Sequence, residues 1–184
     1  MSEPSDKQLV RACLDGKSES FGVLVDRYQE PIYNAVLRMV RDDDDAKDLT
    51  QTAFISAYEN LEKFDPDHAF FSWLYRIATN ATINFLNRKK FQEPLSDEHI
   101  SDQKNPEEIH LESQLSDRIQ SSLMELTMDH RMVIVLRHFV DFTYSEMSEI
   151  LRIPEKTVKS RLFSARQNLS EILTKCGITS AIEI

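Results

Sequence analysis

The sequence predicts an all-α protein with two small helical domains joined by a flexible acidic linker, the C-terminal domain containing a helix-turn-helix. Three observations favour this fold. Only three Gly occur among 184 residues, so the tight turns of sheet-rich folds and Gly-rich nucleotide loops are poorly supplied. Apolar residues recur at helical spacing on both sides of one polar segment. That segment, residues 91–114, has one basic and seven acidic residues and supplies −6 of the net charge of −9.

The first predicted domain covers residues 1–91, in which apolar residues follow a 3.6-residue period. Asp42–Asp45 come just before one such series, where acidic side chains complement the positive end of a helix. We therefore expect a helix from this point to about Leu61. The segment Phe64–Asp67 contains a proline and ends this helix. The last helix of the domain begins at Phe70 and ends at the basic residues Arg88–Lys90.

Residues 92–114 form the predicted linker, because the segment is polar and acidic and contains two prolines. Residues 115–184 form the second predicted domain, in which two amphipathic helices precede a shorter pair. Thr143 and Glu146 have the spacing of a capping box at the start of the first short helix. Arg152–Pro154 ends that helix and leads into the next, which is the spacing of a helix-turn-helix.

The last helix suggests DNA binding. At 100° per residue its apolar residues form one narrow stripe, made of Val158, Leu162, Ala165, Leu169 and Ile172. The opposite face carries Lys156, Lys159, Ser160, Phe163 and Gln167, with Arg161 and Arg166 on its flanks. A recognition helix needs such cations and hydroxyls to hold phosphates around side chains that reach base edges. An ordinary solvated basic face is the alternative that periodicity leaves open.

A helix predicted over residues 45–61 exposes an acidic face with an apolar residue in it. Its outward residues include Asp48, Thr52, Ile55 and Glu59. One apolar contact inside an electrostatic frame is typical of a protein–protein interface. A plain solvated face is the competing interpretation.

The helix that begins at Phe70 combines cations, amides and aromatic rings. Arg76 and Asn80 lie opposite its apolar stripe, with Trp73 and Tyr75 beside them. Single-stranded nucleic acid suits such a surface, because bases stack on rings and donate or accept hydrogen bonds through exposed edges. The alternative is that Trp73 and Tyr75 are simply buried in a helical core.

Other classes of protein find little support. Cys13 and Cys176 lie far apart without a CxxC motif or a His at zinc-ligand spacing, so neither a disulfide framework nor a metal site is predicted. The N-terminus lacks a signal peptide and no apolar run is long enough to span a membrane, so we expect a cytoplasmic protein without membrane insertion. Asp42–Asp45 raise the possibility of a metal enzyme, but four consecutive Asp cannot all face one ion on a helix. We therefore expect no enzyme activity, cofactor or small-molecule substrate.

Three segments resemble the extracytoplasmic-function (ECF) sigma factors, small members of the sigma-70 family. They are Asp45–Phe54, Phe71–Asn80, and Thr157–Leu162 followed by Ala165 and Arg166, and they occur in the family's order. The resemblance covers nearly the whole chain. It implies a stress-responsive subunit that binds core RNA polymerase, directs it to specific promoters and helps melt the minus-ten element. It also implies control by an anti-sigma factor.

The resemblance further implies three sets of site residues. The first set would dock on the coiled coil of the polymerase β′ subunit, with β as a further contact. It consists of Asp45, Asp48, Gln51, Thr52, Ile55 and Glu59. The second set would capture a flipped base and help melt minus-ten DNA. It consists of Phe64, Asp65, Phe70, Phe71, Trp73, Tyr75, Arg76 and Asn80. The third set would recognise minus-thirty-five DNA. It consists of Arg152, Lys156, Thr157, Lys159, Ser160, Arg161, Phe163 and Arg166.

The chain departs from the family pattern at Arg152, where members usually have Gly. A side chain in a left-handed turn costs on the order of 1 kcal/mol, which a phosphate contact could offset. The alternative function is a stand-alone helix-turn-helix regulator. Such a protein would bind duplex DNA tightly unaided and would leave the face around Trp73 and Asn80 unexplained.

Overall fold

A computed structural model describes residues 3–92 and 111–178, and every regular element in these ranges is helical. The helices are α1 (Asp6–Leu14), α2 (Glu19–Val40), α3 (Asp43–Glu59), α4 (Phe70–Gln92), α5 (Leu111–Glu125), α6 (Met128–Ile134), α7 (Tyr144–Leu151) and α8 (Glu155–Lys175). A 3₁₀ turn, Leu61–Lys63, follows α3, and a π turn, Val135–Phe139, continues α6. The predicted all-α class is confirmed. Residues 93–110, most of the predicted linker, lie outside the described ranges.

At the starts of α3 and α7, side chains pair with free backbone N–H groups. The Asp42 carboxylate accepts from the Asp45 N–H at 2.9 Å at the start of α3. At the start of α7, Thr143 Oγ1 accepts from the Glu146 N–H at 3.3 Å, and the Glu146 carboxylate accepts from the Thr143 N–H at 2.8 Å. The predicted capping box is therefore present.

Helices α1 to α4 form the first module, whose core is the set of faces predicted from apolar spacing. On α3 the buried residues include Leu49, Ala53, Phe54 and Ala57. On α4, Leu74 and Ala78 are buried, whereas the later members of the stripe, Ala81 and Phe85, are only half-buried. The predicted interruption between the last two helices of this module is also present, since residues 64–69 are non-helical and separate the 3₁₀ turn from α4.

Helices α5 to α8 form the second module. The α8 stripe packs on α5, α6 and α7, and Val158, Leu162, Ala165 and Leu169 are buried. Ile172 is half-buried, and Leu173 takes the last core position.

The two modules also touch, because α7 packs on α4 while α5, α6 and the π turn pack on α2. None of the described helices has the length and apolar character needed to span a membrane.

Candidate nucleic-acid interface

The outward face of α3 is an acidic stripe with an isoleucine in it. Because Leu49 and Ala53 point into the core, the opposite side of the helix faces solvent. Its exposed residues are Asp48, Gln51, Thr52, Ile55 and Glu59. Ile55 is 52% exposed, which is unusual for so large an apolar side chain among carboxylates. Asp45 is half-buried at the edge of the stripe, with its Oδ2 3.3 Å from Lys89 Nζ.

The run of aspartates at the start of α3 has local partners. Asp42 caps the helix, and Asp43 accepts from Lys47 and from the Tyr33 hydroxyl. The hydrogen bonds from Lys47 and Tyr33 hold the pKa of Asp43 below its usual value. Within residues 3–92 and 111–178, no group of three or more His, Cys, Asp or Glu is placed to hold a metal ion. The contacts of Asp42 and Asp43 thus serve the start of α3.

Several predicted minus-ten residues are packed inside the first module. Phe64, Phe70 and Trp73 form an aromatic cluster with ring centroids 5.3–5.7 Å apart, and all three are buried. Tyr75 is only 3% exposed, and burial raises the pKa of its hydroxyl, which donates to the Pro31 carbonyl at 2.9 Å. For Trp73 and Tyr75 this burial agrees with the alternative prediction that both side chains are simply buried in a helical core.

The remaining minus-ten residues are more accessible to solvent. Asp65 and Asn80 are exposed, and Arg76 and Phe71 are half-buried. Arg76 and Asn80 line an open cleft along α3 and α4, whose walls also include the edge of Trp73. Asp48 and Thr52 from the acidic stripe border the same cleft. The structure therefore brings part of the predicted minus-ten set next to part of the predicted polymerase set.

Most of the predicted minus-thirty-five residues of the helix-turn-helix are exposed, and Arg152 also lines the cleft against the first module. Arg152 ends α7 in the left-handed conformation, with φ 54° and ψ 41°. The Ser148 hydroxyl donates to the Ile153 carbonyl at 2.6 Å and holds the turn closed. The exposed residues are Arg152, Lys156, Thr157, Lys159, Ser160 and Phe163, and Arg161 and Arg166 are half-buried. Phe163 is 64% exposed, so its ring is available to a partner.

Two cations of α8 are held by carboxylates. Lys159 Nζ lies 2.6 Å from Glu155 Oε1 and 5.3 Å from the ring centre of Tyr144. A guanidinium nitrogen of Arg161 lies 3.1 Å from Asp129 Oδ2. Exposed pairs of this kind add little to stability.

Arg166 is held by a histidine that the sequence analysis did not single out. Its Nε donates to His138 Nε2 at 3.2 Å. Partial burial, together with the charges of Arg166 and Arg137, lowers the pKa of His138, so the ring is neutral and can accept at neutral pH. His138 and Arg166 are 28 residues apart, so no local pattern reveals the pair.

The left-handed turn at Arg152 makes a testable prediction. Arg152→Gly removes the strain of a side chain at positive φ and raises the free energy of unfolding by about 0.5–1 kcal/mol, or about 1–4 °C in Tm. If Arg152 contacts a phosphate, as the resemblance implies, the same change should also weaken minus-thirty-five binding by removing a cation. Arg41, the C-cap of α2 with φ 56°, supplies the control. Thermal melting of Arg41→Gly should show the same stabilisation with promoter binding intact, and a destabilised Arg152→Gly would contradict the argument.

Two separate segments of the chain match family models of known proteins. Residues 24–92 match the family model for Sigma-70 region 2, and residues 116–169 match that for Sigma-70, region 4. The ECF RNA polymerase sigma factor SigW of Bacillus subtilis is 35% identical over 179 residues, which cover 91% of this chain and 96% of the relative.

Two solved structures share the fold. CnrH in complex with the cytosolic domain of CnrY aligns with a TM-score of 0.71 at 27% identity, covering 92% of this chain and 97% of CnrH. The sigma factor RpoE in complex with the anti-sigma factor NepR from Bartonella quintana aligns with a TM-score of 0.68 at 20% identity, covering 85% and 98%. A stand-alone helix-turn-helix regulator does not account for the match over residues 24–92. The chain therefore belongs to the ECF sigma factors of the sigma-70 family.

Proposed function

We propose that this chain is a promoter-recognition subunit of bacterial RNA polymerase that acts in the cytoplasm and is not itself an enzyme. The observation that carries the proposal is the placement of three exposed faces. The acidic stripe of α3 and the Arg76–Asn80 face of α4 lie within the region 2 match, and the outward face of α8 lies within the region 4 match. Each face thus falls in a segment that matches the family.

The acidic stripe of α3 is the proposed docking site for core polymerase. Asp48 and Glu59 supply charge, and Ile55 supplies an apolar contact between them. Charged groups around a small apolar centre favour fast association and a fixed register with a basic partner. The coiled coil of β′ is the proposed partner of this stripe, with β as a further contact.

The face of α4 is the proposed site for minus-ten DNA. Asn80 and Arg76 supply hydrogen-bonding groups at the rim of the cleft, and Trp73 of the aromatic cluster lines its wall. A flipped base that gains hydrogen bonds and stacking there offsets part of the cost of opening the duplex. The outward face of α8 is the proposed reader of duplex minus-thirty-five DNA.

Control by an anti-sigma factor is a further part of the proposal. The RpoE structure from Bartonella quintana contains the anti-sigma factor NepR, and CnrH was solved with the cytosolic domain of CnrY. Both align with this chain over more than four-fifths of its length. A protein partner that covers the same faces would hold this chain inactive. Affinity purification that returned core polymerase and no inhibitor would count against this part.

Charge reversal on the acidic stripe tests the docking site. Asp48→Arg should weaken binding to purified core RNA polymerase at least tenfold, because a like-charge contact costs more than about 1.4 kcal/mol. Co-elution and fluorescence titration measure the loss. Glu171→Arg, an exposed reversal late on α8, should bind core like the wild type. If the wild type fails to bind core yet binds duplex DNA tightly, the chain is a stand-alone regulator instead.

A further inference from the structure

One histidine of the π turn contacts a predicted DNA-binding residue of α8. His138 is exposed beside Arg166, and the Arg166 Nε donates to the His138 Nε2 at 3.2 Å. Arg166 belongs to the predicted minus-thirty-five set, whereas His138 belongs to none of the three predicted sets. The contact uses the inner nitrogen of the guanidinium and leaves its two terminal NH₂ groups outside the hydrogen bond. His138 therefore restricts how the guanidinium is turned without using the groups that reach furthest from the helix.

The neighbours of His138 in the π turn are held by partners of their own. Arg137 Nη1 lies 3.2 Å from Asp141 Oδ1. On the other side, the guanidinium of Arg38 in α2 lies 3.8 Å from the ring centre of Phe139. Short π turns within helices are frequent at functional sites. This one presents the ring of His138 to α8 with both neighbouring side chains already engaged.

The orientation of a guanidinium decides how well it distinguishes one base from another. The terminal N–H groups of an arginine form a planar fork that matches two acceptors on the edge of guanine. A long side chain on a solvated helix has several rotamers, and ordering it on the DNA costs conformational entropy. A guanidinium that is already held at Nε has fewer orientations to lose. The matching base therefore gains more binding free energy than a base that the fork does not fit.

The charges around His138 keep its ring able to accept a hydrogen bond. Partial burial and the positive charges of Arg166 and Arg137 lower the pKa of the ring, so the ring is neutral at neutral pH. Charged and titratable groups on the elements around the π turn also have partners. These are Arg38 of α2 on Phe139, Asp129, His130 and Arg131 of α6 on Arg161, Asn168 and the Met39 carbonyl, and Tyr144 and Glu146 of α7 on Lys159 and the Thr143 N–H. A protonated ring would be a further positive charge beside Arg166 and Arg137.

We propose that His138 is a positioning residue for promoter recognition, which holds Arg166 at Nε and thereby increases the discrimination between bases in the minus-thirty-five element. The proposal rests on the proposed function and adds a residue from outside α8 to the recognition of this element. Protonation of the ring ends the hydrogen bond, because both ring nitrogens then carry a proton. The same proton adds a positive charge that attracts any duplex. Base discrimination, rather than total affinity, is therefore the quantity that His138 controls.

Four variants test the proposal. His138→Ala removes the acceptor, and His138→Gln replaces it with an amide oxygen that does not titrate. Arg166→Ala identifies the base position that depends on Arg166. His130→Ala is the matched control, because the His130 ring also contacts α8, at 3.2 Å from Asn168, which lies outside the predicted minus-thirty-five set. Circular dichroism checks that each variant keeps its helices.

Selection of DNA by the holoenzyme reports the result. The full chain, bound to core polymerase, selects duplexes from a pool of random sequence, and sequencing of the bound fraction gives the base preference at each position. At about pH 7.5 the wild-type ring is neutral. His138→Ala should then reduce the preference at the Arg166-dependent position about three- to tenfold, the range for loss of one hydrogen bond. His138→Gln and His130→Ala should keep it within about twofold of the wild type.

A pH profile separates positioning from a general loss of structure. Between about pH 7.5 and 5.5 the wild type should lose preference at the Arg166-dependent position, because His138 is protonated as the pH falls. His138→Gln should keep its preference over the same range, since an amide does not titrate. Both proteins are measured with the same core polymerase, so the effect of pH on the polymerase itself cancels in the comparison.

The outcomes separate this proposal from the proposed function. A loss spread evenly over all positions in His138→Ala would mean that His138 is only structural and would overturn the proposal. Unchanged preference in His138→Ala, or equal pH dependence in the wild type and His138→Gln, would also overturn it. If Arg166→Ala changes the preference at no position, the proposal fails while the proposed function stands. Failure of the wild-type holoenzyme to select any sequence would overturn the proposed function, and with it this proposal.

Discussion

Leu162→Ala lowers the free energy of unfolding by about 2–5 kcal/mol, whereas the neighbouring change Phe163→Ala shifts it by no more than about 0.5 kcal/mol. The two side chains point to opposite sides of α8. Leu162 is 1% exposed and leaves a cavity between α8 and the helices beneath it when truncated. Phe163 is 64% exposed and has little to lose from truncation. Urea denaturation followed by circular dichroism measures both changes.

The same pair should show the opposite order in promoter binding. Phe163→Ala removes a ring from the proposed minus-thirty-five face and weakens promoter binding by the holoenzyme about fivefold or more, equivalent to at least about 1 kcal/mol. Leu162→Ala, assayed at a temperature where it is folded, leaves that face intact and binds like the wild type. Equal stability losses in the two variants would mean that α8 does not have the orientation described.

Asn80→Ala should reduce transcription from a fully paired promoter roughly 5- to 150-fold. The reason is that removing one partner of a hydrogen bond costs about 1–3 kcal/mol once the bound DNA has covered the cleft and excluded water from the base edge. Asn80 is exposed at the rim of the cleft beside Arg76, so its amide can reach an extruded base. Run-off transcription with reconstituted holoenzyme measures the effect. Asn87→Ala, about two turns further along α4 and also exposed, is the matched control and should keep wild-type activity.

A template whose minus-ten region is already unpaired sharpens this test. The cost of unpairing is removed there, so the deficit of Asn80→Ala should shrink. A deficit of the same size on both templates would contradict a role in opening. A loss of core binding by Asn80→Ala would instead mean that the residue belongs to the docking face.

The sequence alone was sufficient for the features that depend on local periodicity. The stripe of α8 and the buried side of α3 are set by residues three and four apart, and the structure buries them. The cap at Thr143 and the turn at Arg152 depend on a few neighbouring residues, and both are present. Burial of Leu173 was missed because the stripe drifts around the helix over a stretch as long as α8.

Such local patterns could not predict contacts between residues that are far apart in the sequence. Arg131 is one basic residue among many in the sequence, yet its hydrogen bond to Met39 spans 92 positions. Tyr75 also packs against Phe142, which belongs to the other module. Periodicity shows which side of a helix is apolar, but it does not show whether a second module covers the other side. The roles of the three sets of site residues stay predictions, which the variants above test.

The carboxylates that hold Lys159 and Arg161 have a consequence for the ionic-strength dependence of binding. A free lysine or arginine that meets a phosphate releases a counterion condensed on the DNA, and each such contact steepens the fall of affinity with salt. Here Glu155 and Asp129 already neutralise two of the cations, so part of the attraction to any duplex is cancelled before contact. The chain should therefore show shallow salt dependence and little retention on random DNA. Its search for a promoter then depends on the polymerase that carries it.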